Sequence, residues 1–344
     1  MFQLRPITKR RLQRFHSLKR GWYAFLFLSI CLAFTVLAEV FINSRALYVQ
    51  HEGKSSFPTY GDPIPGKVFG LGYGYETDYK ELQAHFAASG SSSKVIMPLI
   101  PWGPNEMDYS VPPPAKPSAK HWLGTDIMGR DILSRLVYGF RVSISFALLM
   151  VGMTYSIGVT LGCLSGYYGS WIDLITQRLQ EIWMCLPFLF SVIIITAFWS
   201  PGFVGLAFIC AIFSWMGIAS TMRAMTFKEK SREYVTAARS LGAGTGRIVF
   251  RHILPNTLSI VISFLPFQVA GGISALTSLD FLGYGVPPPM PSWGELMEQG
   301  LGRLDAWWIL GSVATAMTII LISITFIGEG LREAFDPKRH STYD

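Results

Sequence analysis

The hydrophobic residues of this chain are gathered in long blocks separated by polar segments. A helix needs about 20 mostly apolar residues to cross a bilayer, whereas a soluble core requires apolar positions that recur with a period of about 2 or 3.6 residues. The predicted fold class is therefore an all-α membrane protein, a six-span helical bundle with its core at 142–327. The blocks predict spans at residues 22–42, 142–164, 179–199, 203–222, 257–278 and 308–327.

The polar segments differ in charge, and this difference predicts the orientation of the chain. Seven Lys and Arg residues lie within residues 1–21, and seven more lie in the interior loop 223–256. Because cytoplasmic loops carry an excess of Lys and Arg, we place both segments and the tail 328–344 in the cytoplasm. Residues 43–141 then form a periplasmic segment, since loops longer than about 60 residues escape the charge rule.

The periplasmic segment is rich in Gly and Pro, which predicts turns, with one short helix from Asp78 to Ala88. At its end, residues 131–141 place apolar side chains on one side, which suits either a helix on the membrane surface or an ordinary helix packed on the bundle. The charge-free run from Trp22 to Ala38 is longer than the roughly 7 to 15 residues of a signal core. We therefore expect the first span to be an uncleaved anchor.

The amino-acid composition agrees with a chain that lies largely within a lipid bilayer, and it excludes some classes of function. Of 344 residues, 50% are hydrophobic and 15% are charged, and the mean hydropathy is +0.36. The net charge of +7 lies in the predicted cytoplasmic segments and not among aromatic or base-reading side chains, so we expect no nucleic-acid partner. The scattered histidines form no metal motif, and we expect no cofactor in this chain. The cysteines fall in apolar blocks and are predicted to be small buried hydrophobes: Cys31, Cys163, Cys185 and Cys210.

Within the interior loop, residues 234–242 and 247–256 predict two short helices separated by a glycine-rich break. Val235, Ala238 and Leu241 share one face, which gives the first helix an apolar stripe for a partner. Gly242 permits a left-handed helix end. We expect Gly242→Asp to add a charge at a buried junction and to stop transport.

The same loop resembles the cytoplasmic signature of permease subunits of bacterial ABC importers. Ala237 and Ala238 are followed by Gly242, and the segment ends at Leu254 and Pro255. The resemblance implies the fold of a type I importer permease and a coupling helix that docks on an ATP-binding subunit. Thr236 departs from the Glu that is common in the wider family. The implied coupling residues are Tyr234, Val235, Ala237, Ala238, Leu241, Gly242, Leu254 and Pro255.

Other motifs narrow the resemblance to peptide permeases of the bacterial inner membrane. They are His121 to Asp126 with Gly129 to Asp131, Gly166 to Gly169 with Asp173, Phe281 to Gly285, and Pro291 to Gly294. Together with the long outer segment, they are most similar to Yej-type importers of oligopeptides and the peptide antibiotic microcin C.

The resemblance implies a set of partners and a substrate. The partners are a second homologous permease, two ATP-binding subunits or domains that hold ATP and Mg, and a periplasmic peptide-binding protein. Peptide is the substrate, and its path runs between the two permeases. This chain is then a non-catalytic subunit.

The energy source can also be judged from the residues. The nearest approach to a phosphate-binding loop is Gly53, Lys54 and Ser55, but Tyr48 occupies the position of the required earlier glycine. An ion-gradient-driven secondary transporter is the alternative. Its carboxylates would have to come from Glu39, Glu181, Asp280 and Glu329, all of which lie near span ends. We expect no pair of broken helices that would suggest an ion site at mid-membrane.

Small residues in the fifth span permit close helix packing. They are Gly271, Gly272, Ser274 and Ala275. Packing at a moving interface and static packing within the subunit are both consistent with this pattern.

Overall fold

The computed structural model describes residues 6–89 and 93–335, so parts of the predicted basic amino terminus and tail lie outside the described residues. The helices are α1 Pro6–Ser17, α2 Lys19–Val36, α3 Ala38–Phe41, α4 Tyr79–Ala88, α5 Ile132–Tyr168, α6 Ser170–Met184, α7 Phe188–Phe198, α8 Phe203–Lys230, α9 Glu233–Ser240, α10 Thr245–Arg247, α11 Leu254–Phe281, α12 Trp293–Gly302 and α13 Trp307–Phe335. The strands are β1 Tyr48–His51, β2 Lys54–Ser56 and β3 Lys94–Ile96, and a π-helical stretch, Ile248–Ile253, joins α10 to α11. Short 3-10 turns occur at Pro58–Tyr60, Gly66–Phe69 and Leu304–Ala306.

In the part of the chain that the structure describes, five helices are long and apolar enough to cross a membrane, and a bent pair adds a sixth crossing if it counts as one span. The five are Lys19–Val36, Ile132–Tyr168, Phe203–Lys230, Thr245–Phe281 and Leu304–Phe335. These helices confirm the prediction of an all-α membrane protein.

The predicted third span, residues 179–199, is not one helix. It is divided between α6 and α7, which are bent by 81°. Pro187 lies at the break and precedes the first residue of α7. Because proline lacks an N–H and disfavours helical backbone in the residue before it, the helix ends at Met184 and restarts at Phe188. The expectation that the chain contains no broken helix pair is therefore wrong.

The second span begins earlier than predicted. Helix α5 is 37 residues long and starts at Ile132, so residues 132–141 form its first turns and not a separate surface helix. Ile132 and Phe140 are buried, and so is Arg135. Of the two interpretations of this segment, the structure therefore agrees with a helix packed on the protein.

The chain forms two compact units, the first made of residues up to 28, 143–287 and from 318 onward. Within it, α5 packs on α8 through Gly158, Gly162 and Gly166. A Cβ at these three positions would collide with Ile218 or with the backbone oxygens of Ala219 and Arg223. Because the glycines are four residues apart, they lie on one face of α5 and allow close contact of the two backbones.

Two of the small residues singled out in the fifth span have different surroundings. A Cβ added at Gly272 would lie 3.0 Å from Ala147 of α5, whereas one at Gly271 would meet nothing within 4 Å. Gly272 therefore serves static packing inside the subunit.

The second unit comprises residues 29–142 and 288–317. Its antiparallel sheet has the order β2-β1-β3, with Val49 opposite Ser56 and Val95. Helix α4 covers the sheet through buried Leu82 and Phe86. Asp78 caps α4 by accepting hydrogen bonds from the backbone N–H groups of Lys80 and Glu81, at 2.9 and 3.2 Å. The predicted short helix is confirmed, while the small sheet was not predicted.

Candidate functional site

Helix α9 contains most of the segment that the sequence analysis predicts to dock on the ATPase. One face of this helix, its inner face, packs against other helices of the same chain. Val235 is 0% exposed and Ala238 is 9% exposed. The interpretation of these two residues as a stripe for a partner is therefore wrong. They lie in a buried cluster with Cys163, Tyr167, Ile218, Met222, Ile248, Val249, Ile253 and Val261.

The opposite side of α9 is accessible. Leu241 is 88% exposed directly after the last helical residue. Thr236, Ala237 and Ser240 are also exposed. Of the three apolar residues predicted to face a partner, only Leu241 is free to do so, and it stands among small side chains that permit close approach.

The end of α9 is closed by a defined hydrogen-bond pattern. Gly242 has φ of 79°, and its N–H donates to the Arg239 carbonyl at 2.9 Å, while the N–H of Ala243 donates to the Ala238 carbonyl at 3.0 Å. This is a Schellman motif, in which a left-handed residue ends the helix. The predicted left-handed turn is confirmed. The predicted buried junction is wrong, because Gly242 is exposed and a Cβ there would meet no atom within 4 Å.

After the glycine-rich turn, the chain does not form an isolated second helix. The π-helical stretch continues directly into α11, so that residues 245–281 form one candidate span. Ile248 and Ile253 are buried, whereas Phe250 is 47% exposed. Pro255 lies in the first turn of α11, and the wider π turn before it accommodates the proline ring. Leu254 and Pro255 thus belong to the start of the span.

Polar contacts also hold α9 in place. The Arg239 guanidinium donates to the Tyr167 hydroxyl of α5 at 3.3 Å. The Tyr234 hydroxyl donates to Glu229 Oε2 of α8 at 2.8 Å. Burial and the Glu229 carboxylate raise the pKa of Tyr234, so the phenol stays protonated. A movement of α9 would therefore be transmitted directly to α5 and α8 through these hydrogen bonds.

An ion pair between α6 and α8, near the same helices, was not predicted from the sequence. The Arg223 guanidinium pairs with the Asp173 carboxylate, which also accepts hydrogen bonds from Ser165 at 2.5 Å and from Gln177 at 3.0 Å. The pair links the first turn of α6 to α8. The four-residue spacing of Gly158, Gly162 and Gly166 was the available signal that α5 and α8 are in contact here.

The motif from His121 to Asp131 forms a buried cluster in the second unit. His121 Nδ1 lies 2.8 Å from Asp131 Oδ2, and its Nε2 lies 3.1 Å from Asp108 Oδ2. Burial lowers the pKa of His121, but the two carboxylates outweigh it and raise the pKa above its usual value. Lys120 adds a second cation 2.6 Å from Asp108. The cluster is thus a compensated ion network.

The neighbouring motif residues are joined to α12. The Arg130 guanidinium donates to Asp126 at 2.7 Å and to Glu295 Oε1 at 2.6 Å. Arg135 donates to the other oxygen of Glu295 at 2.6 Å. Buried charges require such pairing. These ion pairs connect Arg130 and Arg135 to Glu295 of α12, which is far away in the sequence but belongs to the same unit.

Neither cluster is arranged as a metal site. Among residues 6–89 and 93–335, no group of three or more His, Cys, Asp or Glu side chains is arranged to hold a metal ion. Each carboxylate of the His121 cluster faces a cation of the protein instead.

These features define a membrane-embedded helical subunit with a structured loop anchored on its spans. The profile of the family described as the inner membrane component of binding-protein-dependent transport systems matches residues 158–341. The chain belongs to this family of ABC transporter permeases. The resemblance found in the sequence is confirmed.

The similar proteins include permeases of several peptide systems. A peptidoglycan transport system permease protein, YejE, of Agrobacterium fabrum is 37% identical over 97% of this chain and 94% of its own length. The inner membrane ABC transporter permease protein YejE of Escherichia coli K12 is 34% identical over 98% of this chain and 99% of its own length. The dipeptide transport system permease protein DppC of Bacillus subtilis is 35% identical over 64% of this chain.

Proposed function

We propose that this chain is one of two permease subunits of an ATP-driven importer of oligopeptides, and that α9 with Leu241 is the surface on which the ATPase docks. A second, homologous permease completes the path. Two ATP-binding subunits or domains supply the energy, and a periplasmic binding protein delivers the peptide. The observation that carries the proposal is the pairing of an anchored inner face of α9 with an exposed outer face.

The contacts of the inner face of α9 explain how a movement caused by ATP binding would be transmitted to the membrane-spanning helices. Complete burial of a valine side chain contributes about 1.5 to 3 kcal/mol, so Val235 holds α9 to α5, α8 and α11. When the ATPases close, α9 moves with the groove that holds it, and the attached helices follow as a body. Alternation between inward-open and outward-open states then requires only a different preference of the ATPase for the two positions of α9.

The choice of peptide as substrate rests on the names of the similar proteins. They include a peptidoglycan, a dipeptide and a glutathione transport system, and glutathione is itself a short peptide. The likeness to the two YejE proteins extends over nearly the whole chain, including the outer segment. We therefore propose oligopeptides as the substrate class, with peptide antibiotics such as microcin C as a narrower candidate.

The orientation completes the proposal. The chain lies in the bacterial inner membrane with both termini and α9 in the cytoplasm, because these segments carry the excess of Lys and Arg. Residues 43–141 then face the periplasm, where a binding protein could reach them.

Uptake in vesicles tests the energy source. The chain, its partner permease, the ATPases and the binding protein are reconstituted together, and accumulation of a labelled oligopeptide is measured. We expect uptake with ATP and no uptake with a proton gradient alone. Uptake by this chain alone, driven by the gradient, would instead establish the secondary transporter. Competition with microcin C in the same vesicles tests the narrower substrate.

A single substitution tests the docking surface. Leu241→Glu places a charge on the outer face of α9 without touching its anchored face. A central interface residue contributes about 2 kcal/mol, so we expect roughly thirtyfold weaker retention of the ATPases on co-purification. Leu99→Glu is the matched control, since Leu99 is 68% exposed in the outer segment.

The two variants must both insert at wild-type levels, which an immunoblot of the membranes checks. Full retention of the ATPases by Leu241→Glu would remove α9 from the docking surface. Equal loss in both variants would show that any exposed charge disturbs assembly, and would equally contradict the assignment.

A further inference from the structure

The amino-terminal helix α1 is held against the end of α13. Phe15 is 5% exposed and packs with Ile327 and Ala334. A Cβ at Gly21 would lie 3.3 Å from the Cα of Gly330, so α2 and α13 also approach closely just beyond α1. The Arg11 guanidinium lies 4.8 Å from the centre of the Phe335 ring. The basic segment is therefore a fixed part of the first unit.

A cavity of about 340 Å³ lies where α1 ends and α2 begins. Its lining combines the cationic side chain of Lys19 with the rings of His16, Trp22 and Tyr23. The His16 and Trp22 rings are 4.6 Å apart, and Tyr23 is 64% exposed. The lining residues are His16, Ser17, Lys19, Trp22 and Tyr23.

The segment around this cavity is strongly basic. Lys9, Arg10 and Lys19 are exposed, and the first turn of α2 adds backbone N–H groups that favour anions. Neither α1 nor α2 contains an Asp or Glu residue that could offset the cations of this segment. The cations concerned are Lys9, Arg10, Arg11, Arg14, Lys19 and Arg20.

The position of the cavity along α2 decides which anion it meets. Trp22 and Tyr23 are the first residues of the apolar block, and such residues concentrate at the boundary between headgroups and hydrocarbon. Beyond them, Phe25, Leu26 and Phe27 are each about two-fifths exposed. Only 17% of the α2 window is buried inside the protein, so acyl chains have an apolar surface to follow directly from the cavity.

We propose that this cavity binds the phosphate headgroup of an anionic phospholipid. Lys19 and the first N–H groups of α2 face the phosphate. Trp22 and Tyr23 flank the glycerol region, while the acyl chains run along the exposed side of α2. A free phosphate would gain the charge contacts without the apolar surface, and therefore a lipid is favoured over the soluble anion.

Native mass spectrometry of the full chain purified in detergent tests this site. The protein is titrated with phosphatidylglycerol, with phosphatidylcholine of the same acyl chains, and with inorganic phosphate. We expect retention of phosphatidylglycerol in preference to the other two. Lys19→Gln should reduce this retention about fivefold, the contribution of one basic residue near a membrane surface, and Lys19→Arg should restore it.

Lys9→Gln is the matched control, because Lys9 belongs to the same basic helix but does not line the cavity. Wild-type retention in this variant supports a defined site. Equal loss in Lys9→Gln and Lys19→Gln would show diffuse attraction by the whole segment and would overturn the proposal. So would equal retention of phosphatidylcholine, or displacement of the lipid by inorganic phosphate. None of these outcomes depends on peptide uptake.

Discussion

At the scale of single residues, the structure distinguishes two effects of replacing Gly242: the strain of a left-handed backbone and the space available to a side chain. Its φ of 79° requires a left-handed conformation, but the space around it is open. Within this chain, a substitution therefore acts through backbone strain and not through a clash or a buried charge.

Replacements at Gly242 should follow the preference of each residue for the left-handed region. Ala costs roughly 1 to 2 kcal/mol there, whereas Asn and Asp visit this region more readily. We expect uptake in the reconstituted vesicles to fall in the order Gly, then Asn and Asp, then Ala, at equal membrane levels. If Gly242→Asp abolished uptake while Gly242→Ala retained it, charge and not strain would be the cause.

The sequence predicted the position of this turn but not the direction in which the neighbouring side chains point. Val235, Ala238 and Leu241 share a helical pattern, yet the first two are buried in the chain and Leu241 follows the end of the helix. A periodic pattern tells which residues share a face. It does not tell whether that face meets the protein's own core or a partner.

At the scale of elements, the difference between prediction and structure has a similar cause. Hydropathy measures the transfer of a segment into lipid, and it treats residues 179–199 as one block. The direction of the backbone depends on Pro187, which ends one helix and precedes the next. Helix α5 shows the reverse case, because its charged first turns continue the span where hydropathy stops.

The contact between α5 and α8 gives a test at this scale. Gly162→Ala places a Cβ against the backbone oxygen of Ala219, and overpacking of this kind costs about 1 to 3 kcal/mol. Gly152→Ala on the same helix meets no atom within 4 Å and should be neutral, or stabilising by up to about 1 kcal/mol through helix propensity. Thermal unfolding of the two purified variants in the same detergent measures the difference.

Both variants replace glycine with alanine in the middle of α5, so the gain in helix propensity is the same in the two. An equal shift of the unfolding temperature in the two would contradict the close approach of α5 and α8.

At the scale of the whole molecule, the number of crossings was predicted from six apolar blocks. The described residues contain five single-helix candidates and the bent pair of α6 and α7. A bent pair is either a broken span that reaches the far side of the membrane or a re-entrant loop that returns, and the two arrangements differ by one crossing.

Labelling with a membrane-impermeant maleimide tests the predicted orientation. Ser110→Cys, Leu301→Cys and Ser240→Cys are placed separately in a chain whose exposed Cys185 is replaced by Ser. We expect Cys at positions 110 and 301 to react in cells with a permeabilised outer membrane, and Cys at position 240 to react only after the inner membrane is opened. Reaction at positions 301 and 240 from the same side would refute this orientation.

The two ion pairs of Glu295 indicate whether the number of membrane crossings between α5 and α12 is odd or even. Arg130 and Arg135 precede the body of α5, and Glu295 follows α11, yet they are in direct contact at 2.6 Å. Charges in contact lie on one side of a bilayer, so the chain must cross an even number of times between them. With α5, α8 and α11 as three crossings, we expect the bent pair of α6 and α7 to supply the fourth as a single span. With α2 and α13 the expected total is six, the number that the predicted orientation requires if both termini are cytoplasmic.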